Sequence, residues 1–169
     1  EKPDVLRLCL RSIIKNDPNE ILVMVDGRDP ASVNVAREFK PPVNVKIVSE
    51  PGKRKAIALG IELAKSDVVV LVDSDTVWTL TTLTNLVKPF IDPKVGGVCS
   101  RNKILNPSNF TRRIADWLED LRFKITFSAE SFFGVTAVLS GRTAAYKREY
   151  VLPLLDELVN ETFLGKQCI

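Results

Sequence analysis

The 169 residues, 45% hydrophobic and 27% charged, suffice to bury the core of one domain of ordinary size. A balance of 24 basic against 21 acidic residues leaves a net charge of only +3, which argues against a dedicated nucleic-acid binder. The absence of histidine excludes imidazole-based triads, His-ligated zinc and histidine general bases, so chemistry must rest on carboxylates, Lys and Arg, hydroxyls or an oxygen-held metal.

In chain order, Pro3 and the rows Val5–Cys9–Ile13 and Leu6–Leu10–Ile14 predict an amphipathic helix that ends at Asn16-Asp17-Pro18-Asn19. Ile21 to Val25 reads as a buried strand stopping at Asp26-Gly27. A second helix is expected from Asp29-Pro30 to about Phe39, where Pro41-Pro42 breaks it, and a strand from Val43 to Val48. Glu50-Pro51-Gly52-Lys53-Arg54-Lys55 then introduces a helix from Ala56 to about Lys65, apolar nearly all round and so expected to be buried. Val68 to Val72 is a continuous hydrophobic strand ending in Asp73-Ser74-Asp75. Uninterrupted apolar strands alternating with helices predict an α/β fold, a mostly parallel sheet with helices on both faces. A helix as first element implies a strand before it.

The second half alternates less cleanly. Leu80, Leu83, Val87 and Phe90 predict a helix, and Val95 to Ser100 a short strand. Phe110, Ile114, Trp117, Leu121 and Ile125 form the stripe of a longer helix, with Arg112, Arg113, Arg122 and Lys124 off it. A strand is expected over Phe132–Leu139, a turn at Ser140-Gly141-Arg142, a strand over Thr143–Lys147, and a last helix from about Glu149 to Val159, weakened by Pro153. Cys9, Cys99 and Cys168, odd in number and in apolar contexts, are expected to be reduced core thiols of a cytosolic domain. The apolar stretch Ile125–Leu139 is interrupted by Glu130 and too short to cross a bilayer.

Asp73 and Asp75 carry the strongest chemical signal. At the carboxyl end of a strand, residues two apart point to one side, so both carboxylates are expected to face the crevice where open α/β sheets bind ligands. Two hard oxygen donors there suit Mg²⁺ or Mn²⁺ carrying substrate phosphates; the plainer alternative is a capped strand-to-helix turn. Asp26 ends an earlier strand in the same way and could accept hydrogen bonds from a base or ribose, or simply serve a turn before Gly27. The cations Lys53, Arg54 and Lys55 sit at a helix start against the macrodipole, a conflict that a bound diphosphate would relieve. Ser140-Gly141-Arg142 could line an acceptor pocket or form a hairpin tip. Trp78 and Trp117 are expected in the core rather than under a sugar ring.

Taken in order, Val23–Gly27, Pro51–Ala58, Val68–Asp75, Val95–Pro107 and Leu139–Lys147 resemble the inverting glycosyltransferases of family 2, with a GT-A fold, in the hyaluronan-synthase and cellulose-synthase-like branch. The resemblance implies that Asp26 and Lys53 hold the UDP part of a UDP-sugar, and that Asp73 and Asp75 hold the nucleotide and a Mg²⁺ or Mn²⁺ ion, with Asp75 the direct ligand. It places Gly97 to Asn106 and Ser140-Gly141-Arg142 near donor sugar and acceptor, a saccharide or lipid-linked molecule. It also implies a single partial domain over residues 1–169. The family's opening strand would end at Glu1, the acidic motif supplying the general base would follow Ile169, and the whole would be the cytoplasmic part of a membrane protein. Ser140-Gly141-Arg142 departs from the Ser-Gly-Pro usual in hyaluronan synthases. Two other readings compete. Val68–Trp78 fits the opening motif of haloacid-dehalogenase-type phosphatases, with Asp73 as nucleophile, and a domain of this fold could bind nucleotide-sugar without turnover.

Overall fold

The computed structural model describes residues 2–50, 52–163 and 166–167. Helix α1 (Pro3–Ile14) opens with Pro3 in its first turn and leads to strand β1 (Ile21–Asp26). Helix α2 (Pro30–Arg37) is capped by Asp29, whose carboxylate accepts from the Ser32 N–H at 3.1 Å. Strand β2 (Val43–Val48) pairs parallel with β1, from Ile21 opposite Val43 to Asp26 opposite Val48. Helix α3 (Lys53–Leu63) and strand β3 (Val68–Val72) complete the regular half.

Helices cover both faces, and β3 displays why. Val68, Val70 and Val72 pack into the cluster of Leu6, Cys9, Leu10 and Ile13 from α1. Val69 and Leu71 point the other way, onto Ala58 and Ile61 of α3. An apolar run without polar alternation is what a strand sandwiched between two helical layers requires. Helix α3 itself is less enclosed than its composition suggests, with only Ala58 and Ile61 buried.

Helix α4 (Thr82–Val87) runs into a 3₁₀ turn (Lys88–Ile91), and strand β4 (Gly97–Cys99) follows. A Cβ on Gly97 would lie 2.6 Å from Leu139 Cδ1, so a larger residue there would require the Leu139 side chain to move. Helix α5 (Phe110–Arg122) continues through a π-helical turn (Phe123–Phe127) into α6 (Ser128–Phe132). The strand expected over Phe132–Leu139 does not form. The helix claims Phe132, Gly134 turns the chain at φ 69°, and Phe133, Val135 and Val138 stay exposed. The run pairs with none of the described strands.

Strand β5 (Thr143–Lys147) lies antiparallel between β3 and β4. The α/β class is as expected, while parallel pairing among the described strands is confined to β1 and β2. The last predicted helix is divided by Pro153 into α7 (Arg148–Val151), a 3₁₀ turn (Leu152–Leu154) and α8 (Leu155–Asn160). Strands β6 (Thr162–Phe163) and β7 (Lys166–Gln167) form a small antiparallel pair. Cys9 is buried and Cys99 half-buried, neither in a disulfide; Glu1, Pro51 and Cys168 lie outside the described residues. No described helix is long and apolar enough to cross a membrane.

Candidate functional site

Strands β1 and β3 are not bonded to each other, each has one edge that no described strand pairs with, and a groove of about 940 Å³ lies between them. The floor is apolar, lined by Leu10, Ile13, Val23 and Val70. At the carboxyl end of the strands the lining turns polar, with Asp26, Lys53, Asp73, Asp75 and Gly141. The four charged residues singled out from the sequence are therefore brought to one end of one crevice.

Chain connectivity explains the meeting. Asp26 closes β1 opposite Val48 at the end of β2, and the Gly27 N–H donates to the Val48 carbonyl at 3.1 Å. From Val48 the chain needs only a few residues to reach α3, where Gly52 at φ 134° makes the turn that starts the helix at Lys53. Lys53 Nζ then lies 2.5 Å from Asp73 Oδ1, just past the end of β3.

The Asp26 carboxylate is engaged by Arg28, whose backbone N–H and guanidinium both donate to it, the latter at 2.6 Å. These hydrogen bonds hold its pKa down at about 2, against an ordinary 3.8. A carboxyl whose pKa is depressed on folding adds stability above its unfolded pKa and loses it as pH falls through the folded value. Asp26 is accordingly ionised throughout the neutral range. Arg28→Ala is expected to return the Asp26 pKa towards 3.8, read from the ¹³C shift of its carboxyl. An unmoved titration would show that Arg28 does not set its charge.

Of the three cations at the start of α3, only Lys53 reaches the groove. Arg54 pairs with Glu161, and Lys55 with Glu50 at 2.5 Å. Carboxylates of the protein therefore relieve the conflict with the helix dipole that a diphosphate was expected to relieve. The Lys53 side chain is 68% exposed, and a pair so open to water contributes less than about 1 kcal/mol, so a phosphate can take over the ammonium at little cost.

Asp73 and Asp75 both line the groove, though not for the reason the sequence suggested. The strand stops at Val72, and Asp73 opens a turn in which the Thr76 N–H donates to the Asp73 carbonyl at 3.0 Å. The turn is held from behind, since the Asp73 N–H donates to the Arg142 carbonyl at 3.1 Å. Asp75 is exposed, and among the described residues no hydrogen bond or ion pair is made to its carboxylate.

Gly141 reaches the groove, whereas Ser140 and Arg142 are tied elsewhere. The Asn102 amide donates to Ser140 Oγ at 2.7 Å, and Arg142 Nη1 lies 2.6 Å from Glu119 on α5. Trp78 is in the core as expected, 8% exposed, with its indole N–H donating to Thr143 Oγ1 at 3.1 Å. Trp117 is not in the core; it is 61% exposed, because α5 turns its polar side to the protein. Arg28 was not singled out from the sequence, Asn102 only within the segment Gly97 to Asn106, and Glu119 not as a partner of Arg142. Only Arg28 left a local signal, as a cation two residues after a strand-ending Asp in a glycine turn.

Among the described residues no three carboxylate or thiol groups are gathered to hold a metal. Two carboxylates, one of them unengaged, fit Mg²⁺ or Mn²⁺ of the kind that takes one or two protein oxygens and completes its shell with substrate phosphates and water. The later acidic residues that a phosphatase of the haloacid-dehalogenase type would need at a strand end sit on α5, where Asp116 accepts from the Ile104 N–H and Asp120 pairs with Arg101 and Lys124.

Comparison with known proteins bears on the family and the fold. The family described as Glycosyl transferase family 2 matches residues 1–154. A type 2 glycosyltransferase of Pyricularia oryzae is 32% identical over 96% of the chain, and a hyaluronan synthase of Streptococcus pyogenes 36% identical over 68%. The chain spans 36% and 27% of the length of those relatives. The structure of a mannosyltransferase from Pyrobaculum calidifontis, in complex with GDP-Man and Mn²⁺, superposes with a TM-score of 0.66 at 26% identity, covering all of this chain and 51% of that one.

Proposed function

Because the chain belongs to glycosyl transferase family 2, we propose that it moves a sugar, with inversion, from a UDP-sugar to a saccharide or lipid-linked acceptor, using Mg²⁺ or Mn²⁺ at Asp75 and Asp73. The observation that carries this reading is the Lys53–Asp73 pair at the mouth of the groove, with the unengaged Asp75 beside it and Asp26 at the tip of the facing strand. That arrangement supplies one cation for a diphosphate, two oxygens for a metal, and one carboxylate, kept ionised at neutral pH, as acceptor for ribose or base.

In this reading the metal, when bound, neutralises charge that builds on the leaving diphosphate. Lys53 exchanges Asp73 for a phosphate oxygen and stabilises the same charge from the helix side. Asp26, fixed by Arg28, orients the nucleoside. Gly141 leaves the wall of the pocket open next to Asp73, and Asn102 fixes Ser140 at the same turn. The longer protein is membrane-associated, with this domain on the cytoplasmic side.

Lys53→Gln is expected to weaken UDP binding about tenfold at low salt, because it removes one charge-assisted bond. Isothermal titration checks this, and unchanged affinity would take Lys53 out of the site. For the reaction, a longer form of the protein is expected to hydrolyse or transfer from at least one UDP-sugar in Mn²⁺. Binding of UDP with complete inertness across a panel of UDP-sugars would leave a nucleotide-sugar-binding domain instead.

A further inference from the structure

Helix α5 is mounted with its apolar side outward. Its half-buried face carries Asp116, Glu119 and Asp120, each spent on the body of the protein: Asp116 on the Ile104 N–H, Glu119 on Arg142, Asp120 on Arg101. The opposite face repeats at helical spacing Phe110, Ile114, Trp117, Leu121 and Ile125, of which Phe110, Trp117 and Ile125 are 78%, 61% and 62% exposed. No residue from 110 to 132 is buried. A stripe of this length left in water marks an interaction surface.

The charges around the stripe select its partner. Arg112, Arg113 and Arg122 are exposed, while every carboxylate of the segment (Asp116, Glu119, Asp120 and Glu130) is at least half-buried. An apolar stripe with cations at its margins and acids turned away is the pattern of a helix lying in the plane of an anionic bilayer surface. A second copy of the chain would bring the same arginines together, and like charges facing one another oppose that pairing. We propose that the α5 stripe docks this domain onto anionic membrane lipid. Through the Glu119–Arg142 pair, the docked helix is joined to the turn that lines the groove beside Asp73, so the pocket sits at a fixed distance from the lipid surface. That placement suits an acceptor carried by lipid.

The chain has two tryptophans, Trp78 buried and Trp117 on the stripe, so lipid contact has an intrinsic reporter. Vesicles of phosphatidylcholine with about 30% phosphatidylglycerol should blue-shift the emission and shield it from acrylamide, with affinity at least about tenfold above pure phosphatidylcholine. Ile125→Asp, at an exposed position, should abolish the shift with an unchanged circular dichroism spectrum. Arg113→Glu with Arg122→Glu should erase the preference for the anionic lipid. The proposal is overturned if anionic vesicles bind no better than neutral ones, or if Ile125→Asp binds as well as the parent. It is overturned too if Trp117 becomes shielded without lipid, either as protein concentration rises, which would mean self-association, or in a longer form of the chain, which would mean that another segment covers the stripe. The measurement is made without nucleotide, so its outcome is independent of UDP binding.

Discussion

Asp75→Ala is expected to abolish metal-dependent UDP binding while leaving the fold untouched. The Asp75 side chain is exposed and, among the described residues, has no partner to lose, so thermal unfolding without ligand should be unchanged. Its loss removes one of the two carboxylates that the turn after β3 presents to the groove. The expected penalty is about 100-fold in the apparent Kd for UDP in Mn²⁺, roughly 3 kcal/mol. Titration of UDP with and without Mn²⁺ reads it. The parent should show strong metal dependence and the variant almost none. Equal metal dependence in both would move the cation away from Asp75.

The largest effect on stability is expected at Trp78. Its ring lies in the cluster formed by Leu6, Leu10, Leu86 and Ala145, which joins α1, α4 and β5. Its backbone N–H donates to Ser12 Oγ at 2.9 Å, and its indole to Thr143, which is fully buried. Trp78→Ala should cost about 3–5 kcal/mol, the range for removing a buried aromatic ring, and lower Tm by about 10 °C or more. Thr143→Val should cost about 1–3 kcal/mol, because it strands the indole N–H in the core. Trp78 follows Asp75 closely, and Thr143 follows Arg142, whose carbonyl holds the Asp73 turn. Both variants should therefore also weaken UDP binding. A change in Tm below 2 °C for Trp78→Ala, against the roughly 2–4 °C expected per kcal/mol, would contradict its structural role.

The first half of the fold could be read from the chain because its signals are local. The runs Ile21–Val25, Val43–Val48 and Val68–Val72 are bounded by residues that stop strands, and the structure places their ends within a residue of those positions. Asp26 and Asp73 could be found because each follows such a run, and their meeting with Lys53 follows from the parallel β1–β2 pair and the short path to α3. The second half could not be read the same way. The pairing of β5 between β3 and β4 joins residues far apart in sequence, and nothing in Thr143–Lys147 indicates its direction.

Helix α5 misleads for a different reason. Its stripe predicted a helix correctly, but periodicity says which residues share a face and not which way the face points. The three acids on the other side decide that, by bonding Ile104, Arg142 and Arg101. Phe132–Leu139 has the composition of a strand but pairs with none of the described strands. Alternation in extended backbone likewise gave the right partners for the wrong reason at Asp73 and Asp75, which lie in a turn where Arg142, remote in sequence, sets the geometry.

Paramagnetic broadening of backbone amides by substoichiometric Mn²⁺ in the presence of UDP tests the site most directly. The predicted result is selective loss of the Ser74, Asp75 and Thr76 signals, with Gly27, Gly52 and Lys53 next, and restoration on adding excess Mg²⁺. Broadening centred on the Asp116, Glu119 and Asp120 face of α5, or the same pattern with and without UDP, would contradict a shared diphosphate and cation site at the mouth of the groove.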